Sequence, residues 1–119
     1  MNILIEDKVT IEDTVFYITA VQLHKSYLLL ISDQEDLGIG SVTLGSPPFS
    51  QDSKSASTSF ALFGISNSLI SKVISERASL LFKAPVLLLL FLKSKPKEED
   101  LIKPLGNYLS KIISEKLET

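Results

Sequence analysis

Cysteine is absent from this chain of 119 residues, and histidine occurs once. Without cysteine there is no disulfide framework and no thiolate metal site. That fits a reducing compartment. No excess of one charge sign exists either: Lys and Arg number 12, Asp and Glu 14, and the net charge is −2. A basic surplus of the kind that tracks a phosphate backbone is missing, so nucleic acid is not an expected partner. No apolar run approaches the roughly 20 residues that a helical membrane span needs. The stretch Met1–Asp7 has neither a basic start nor a long apolar region, so it is not read as a secretory signal. The expected location is cytoplasmic, with the nucleus also open to it.

One stretch organises what is present. Val86 to Leu92 is seven consecutive apolar residues, bounded by Pro85 and Lys93. Such a run without alternation predicts a strand covered on both faces. Before it, Asn67 to Phe82 has helical periodicity, with Leu69, Ile70, Val73, Ile74, Leu80 and Leu81 as the expected buried stripe. Ser71, Lys72, Ser75, Glu76 and Lys83 are expected mostly on the other side. Ser66 or Asn67 can cap the first turn, and Pro85 disfavours helix at Ala84.

Taken in order, Ile3–Ile5 and Val9–Ile11 are short apolar pieces that pair or form an edge strand. Val15 to Leu23 is rich in β-branched and aromatic residues and predicts a strand. His24-Lys25-Ser26 turns it into a second strand, Tyr27 to Ile31, making a hairpin. A third strand is expected over Leu37 to Leu44, where Gly38 and Gly40 suggest a bulge or a close backbone approach. Gly45 to Ser57 is rich in Ser, Pro and Asp and predicts a mobile loop. Ser57 to Phe63 is a fourth strand. A last helix, starting near Asp100 to Lys103 so that Pro104 falls in or near its first turn, would bury Leu101, Ile102, Leu105, Leu109, Ile112, Ile113 and Leu117. The expected whole is one α+β domain over residues 1–119: an antiparallel sheet with two helices on one face.

Motifs that carry chemistry fail one by one. Asp33-x-Glu35 with Gly38 opens like a calcium loop, but Leu37 and Leu44 stand where that loop needs ligands. Gly38-x-Gly40 lacks the third glycine of a dinucleotide fingerprint, and no helix follows it. His24 sits in a turn with no nucleophile or orienting carboxylate nearby in the sequence. The loop serines show no nucleophile elbow, and Ser46-Pro47 is explained equally well by turn chemistry. No catalytic residue, metal site or cofactor is expected.

A surplus of apolar surface remains. On the first strand of the hairpin Val15, Tyr17, Thr19 and Val21 point one way, and Phe16, Ile18 and Ala20 the other. Two helices cover one face, which leaves the second face without a cover. A large exposed apolar patch marks an interface, and stacking sheet on sheet in a dimer would bury it; the alternative is that the Ser-rich loop and the N-terminal segment fold over that face. Phe16, Ile18 and Ala20, the uniformly apolar set, are assigned to the helix side. Tyr17, Val21, Val15 and Thr19 are assigned to the partner side, since Tyr offers an apolar body with a polar tip.

The element order is hairpin, Gly-rich strand Leu37-Gly38-Ile39-Gly40-Ser41-Val42, Ser-rich loop, Ser59-Phe60-Ala61-Leu62-Phe63-Gly64, helix, Lys83-Ala84-Pro85-Val86 leading into the apolar strand, and C-terminal helix. It resembles the small proteasome assembly chaperones, the family of the fourth member most closely, with the third sharing the fold. The resemblance spans roughly Val15 to Leu117. It implies a protein that is no enzyme. As a dimer with a related subunit it would bind α subunits of the proteasome core particle and assist assembly of the α ring. The competing class is a roadblock- or longin-like dimeric scaffold for small GTPases or trafficking complexes. Those modules place a helix earlier in the chain, and none is expected here before Ser66.

Overall fold

The computed structural model describes residues 2–36, 38–48, 58–63, 68–94 and 97–117. Six strands and two helices follow the order β1 (Asn2–Ile11), β2 (Thr14–Leu23), β3 (Ser26–Ser32), β4 (Ser41–Ser46), β5 (Thr58–Phe63), α1 (Ser68–Phe82), β6 (Val86–Phe91) and α2 (Glu98–Leu117). The strands form one open sheet in the spatial order β1-β2-β3-β6-β4-β5. The α+β class is as expected. The sheet is mixed, however, because the last strand enters its middle and pairs with β3 in parallel. All other neighbours are antiparallel.

The first two apolar pieces are one ten-residue edge strand, interrupted by a register shift between Ile3 and Ile5. Glu12 and Asp13 join it to β2, both at positive φ (48° and 67°). That is the backbone of a type I′ turn, whose twist matches the strands it connects. The third strand begins at Ser41 and not at Leu37, and it carries on through Gly45 and Ser46, which were expected in the loop. Of the rest of the expected mobile loop, Pro47 and Pro48 are half-buried outside any strand, while residues 49–57 and the expected caps Ser66 and Asn67 lie outside the described residues.

Both helices lie on one face. The core joins Phe16, Ile18 and Ala20 of β2, Leu29 and Ile31 of β3, and Val86, Leu88 and Leu90 of β6 to Ile70, Ile74, Ala78 and Phe82 of α1 and to Leu101, Leu105, Leu109 and Ile113 of α2. Phe16, Ile18 and Ala20 are therefore on the helix side, as assigned. The run Val86–Leu92 was expected to be covered on both faces. Its strand alternates instead between buried and half-buried residues, so only one of its faces has a cover.

Helix α1 buries a different stripe from the expected one. Ser71, Ser75 and Ser79 are buried with Ile70, Ile74 and Ala78, whereas Leu69 and Leu80 are 51% and 54% exposed. The reason lies in β4, whose helix-side residues are Ser41, Thr43 and Gly45. Small residues on both elements let the backbones meet, and a Cβ on Gly45 would collide with the Ser75 carbonyl oxygen. Ser41 and Ser71 hydroxyls share a hydrogen bond of 3.0 Å across this seam. The Ser75 and Ser79 hydroxyls donate back to the Lys72 and Glu76 carbonyls within the helix, so burial leaves them satisfied. The helix closes with Lys83 at φ 57° and the Ala84 amide donating to the Ser79 carbonyl at 3.3 Å, a Schellman ending.

Helix α2 starts at Glu98, so Pro104 sits in its second turn, inside the helix. An interior proline costs about 3 kcal/mol or more. Burial of Leu101 and Leu105 on either side of it, at roughly 1.5–3 kcal/mol each, offsets that cost. The carboxylates of Glu98, Glu99 and Asp100 in the first turn suit the positive end of the helix dipole. Ile102 and Ile112 are half-buried, and Leu117 is 47% exposed, so the expected stripe is narrower than its apolar content.

The seam between β4 and α1 leads to a direct expectation. Gly45→Ala should lower unfolding free energy by about 3 kcal/mol, because helix and strand must part to admit the methyl group. Gly106→Ala is the control, since the nearest atoms to a Cβ there belong to the flexible Arg77 side chain, at 3.5 Å or beyond. Urea denaturation of both variants checks this, and equal midpoints would refute the backbone contact.

Candidate interaction face

Strand register sorts the face opposite the helices into three transverse rows. The first runs Ile3–Val21–Leu28–Leu87–Leu44–Phe60 across all six strands. Every residue in it is apolar. The second runs Glu6–Thr19–Leu30–Leu89–Val42. The third runs Lys8–Tyr17–Ser32–Phe91. Apolar character thus grades from the first row, at the beginnings of β3 and β6, to a polar border at their ends.

No described helix lies over these rows. Leu28, Leu30, Leu87, Leu89 and Leu44 are half-buried. At the two ends of the first row, Ile3 and Phe60 are each 58% exposed. Partial cover exists at the polar border. There a Cβ on Gly38 would lie 3.0 Å from the Phe91 ring, so the segment between β3 and β4 laps the end of β6, and Ser32 is fully buried.

All four residues assigned to a partner, Val15, Tyr17, Thr19 and Val21, lie on this open side of β2. Val21 is buried at 8% exposure between Ile3 and Leu28, and the other three are half-buried. Tyr17 stands in the polar border row, and Thr19 in the middle row beside Leu30. The central residues, Leu28, Leu87 and Leu44, went unassigned in the sequence. Tyr27–Ile31 and Val86–Leu92 are apolar at every position, so nothing in them reveals which set faces outward. Only the phase of β2, read through the register, separates the two.

Two polar fastenings tie the margins of the sheet. Asp33 follows β3, and its carboxylate accepts from the Lys93 amide at 2.9 Å, the Ser94 amide at 2.8 Å and the Ser94 hydroxyl. Its own amide donates to the Phe91 carbonyl at 3.2 Å. The acidic turn is thus a clasp that closes the parallel β3–β6 pair. Burial alone would raise the Asp33 pKa, but the donors from Ser94 and Lys93 outweigh burial and hold it below the ordinary 3.8. On the other edge, the Tyr108 hydroxyl of α2 donates to Asp7 of β1 at 2.7 Å. That bond, followed by the Lys8 amide, lowers the Asp7 pKa. Burial and then the same bond raise that of Tyr108. His24 is exposed in the β2–β3 turn.

No protein-family model matches this chain, and no curated protein matches it. A solved structure does. The fold resembles a chain in the crystal structure of a novel chaperone complex for yeast 20S proteasome assembly. The TM-score is 0.60 at 13% sequence identity, over 96% of this chain and 94% of that one. At such identity the likeness is one of fold, and it spans nearly the whole of both chains.

The Asp33 clasp makes acid sensitivity predictable. A carboxylate with a lowered folded pKa contributes stability that is complete above its unfolded value and is lost as pH falls through the folded one. Wild type should therefore lose this contribution as pH drops below 3.8. Asp33→Asn should cost about 1–3 kcal/mol at pH 7 and show a shallower acid limb. Melting temperatures from pH 7 to pH 2.5 test this. Parallel curves for the two proteins would deny the clasp its role.

Proposed function

We propose that this chain is a non-catalytic subunit of a proteasome-assembly chaperone. It stacks its open sheet face on that of a related chain, in a hetero- or homodimer. The pair binds proteasome α subunits and assists assembly of the 20S α ring. One observation carries the reading: an apolar row crosses all six strands on a face that no described helix covers. Sheet-on-sheet packing about 10 Å apart is the ordinary way to bury such a face. The fold likeness to a chaperone of 20S proteasome assembly supports the choice of partner. Cytosol, with the nucleus, is the compartment this role requires. The scaffold reading for small GTPases gains nothing from the element order, since five strands precede α1.

Point charges distinguish the two faces. Leu87→Glu places a carboxylate at the centre of the open face, where an unpaired monomer leaves it in contact with water. It should weaken the pair at least about 30-fold, roughly 2 kcal/mol, with the circular dichroism spectrum unchanged. Tyr17→Asp, in the polar border row, should weaken it less. Ile18→Asp, at 1% exposure on the helix side, should unfold the chain. Sedimentation of the chain co-expressed with its related subunit reads the pairing, and titration of the purified pair with individual recombinant α subunits reads the binding. A Leu87→Glu protein that pairs as well as wild type would rule out this face. An intact pair that binds no α subunit would rule out the proteasome role.

A further inference from the structure

The outer side of α1 is built the wrong way round for a helix that faces only water. Ser71, Ser75 and Ser79 are among its buried residues, while Leu69 and Leu80 are exposed. Leu69, Val73 and Leu80 fall within about 40° of arc, over about 16 Å of helix. That arc points away from the core residues Ile70, Ile74 and Ala78. Leu69 and Leu80 are 51% and 54% exposed, and Val73 between them is half-buried. Helix propensity does not require leucine there, because Lys or Glu would serve nearly as well. Close packing on β4 does not require it either, since the seam lies on the opposite side at Ser71 and Ser75.

Charges flank this ridge unequally. Lys72 lies on its β5 side with Glu76, Arg77 lies on its α2 side, and Lys83 follows its C-terminal end. Among the described residues, neither Lys72 nor Lys83 has an ion-pair partner. Arg77 donates to the Ser110 hydroxyl at 3.1 Å, a neutral acceptor. The acid beside the ridge, Glu76, already accepts from the Ser59 hydroxyl of β5 at 2.8 Å. Among the described residues, then, the apolar ridge has three cations near it, Lys72, Lys83 and Arg77, against one adjacent carboxylate, Glu76.

We infer that the Leu69–Val73–Leu80 ridge of α1 docks an amphipathic helix of a partner protein, one with an apolar stripe bordered by Asp and Glu. Helix-on-helix docking reads anchors at intervals of three, four and seven residues, and the ridge offers anchors at 0, 4 and 11. Carboxylates on the incoming helix would meet Lys72, Lys83 and Arg77 and set its orientation, which is what interfacial charge chiefly contributes. An anionic membrane surface is the poorer occupant. The ridge is one residue wide, holds no aromatic residue and carries Glu76 beside it, whereas interfacial helices bury a broad apolar face. Because Lys83 also stands at the helix C-terminus, where the dipole favours a cation, Lys72 in the second turn is the more telling charge. The ridge is on the helix layer, opposite the open sheet face, so it is tested separately from the proposed pairing.

The probe is a designed 20-residue helical peptide with leucines at matching spacing and glutamates on both flanks. A twin peptide carries lysines in place of the glutamates, and vesicles of phosphatidylserine and phosphatidylcholine form a third arm. Titration of the full chain by anisotropy, with amide shift mapping, should show the acidic peptide binding at Ser68–Phe82 and preferred to its twin by about tenfold or more. Leu69→Ser with Leu80→Ser should abolish binding. Lys72→Glu, an exposed change that leaves the apolar ridge intact, should remove the preference for acid. Equal binding of the two peptides, shifts confined to the open sheet face, or binding to vesicles alone would each overturn the assignment.

Discussion

Two helices cannot cover both faces of a six-stranded sheet. Everything else in this molecule follows from where that shortage is placed. Both helices go to one side, where Phe16, Ile18, Leu29, Leu88 and Leu90 meet Ile70, Ile74, Leu105 and Leu109. The other side keeps the outward set of the same strands. An all-polar outward set would have made an ordinary one-sided sheet. Here Leu28, Leu30, Leu87, Leu89, Val42 and Leu44 occupy it, which is the composition of a layer that expects another layer above it.

Insertion of the last strand between β3 and β4 puts the most apolar segment at the centre of the sheet. The parallel β3–β6 pair is held at one end by the Tyr27 amide on the Pro85 carbonyl at 3.0 Å. Beside it, the Tyr27 and Phe82 rings stack with centroids 3.9 Å apart. At the other end, Asp33 gathers the Lys93 and Ser94 amides. A central strand clasped at both ends holds the apolar rows in fixed register, and that register decides which leucines face outward.

Much of this was legible in the residues, and the failures have physical causes. Existence and order of the strands followed from β-branched and aromatic runs, and the helix side of β2 followed from its uniform apolarity. Placement of β6 parallel to β3 did not, because pairing partners far apart in sequence leave no local trace. The α1 stripe differs from its hydrophobic periodicity because that periodicity assumes that the packing surface wants bulk. Against Gly45 it wants serine, and the leucines thereby land outside. In the sequence, Pro104 points to a first turn. The buried pair Leu101 and Leu105 carries the helix through it, a tertiary effect that local propensity does not include.

The two edges of the sheet are defended differently, and the difference bears on how a second sheet would sit. On β1, Glu6 and Lys8 border the open face, and the register shift near Ile3 kinks the edge, both devices that discourage strand addition. On β5, residues Thr58–Phe63 carry no charge, and Phe60 and Leu62 are 58% and 52% exposed. The uncovered apolar area therefore runs broadly from β2 to β5 and narrows on β1 to Ile3. It also fades along the strands, toward Tyr17, Ser32 and the overlapped Phe91. A stacked sheet in the proposed pair gains most if it centres on Leu28, Leu87 and Leu44, off the geometric middle and toward the β5 side. Desolvating Glu6 and Lys8 at the β1 border would cost more than their neighbours return. Offset stacking of that kind would leave the β1 border wet and bring Phe60 into the contact.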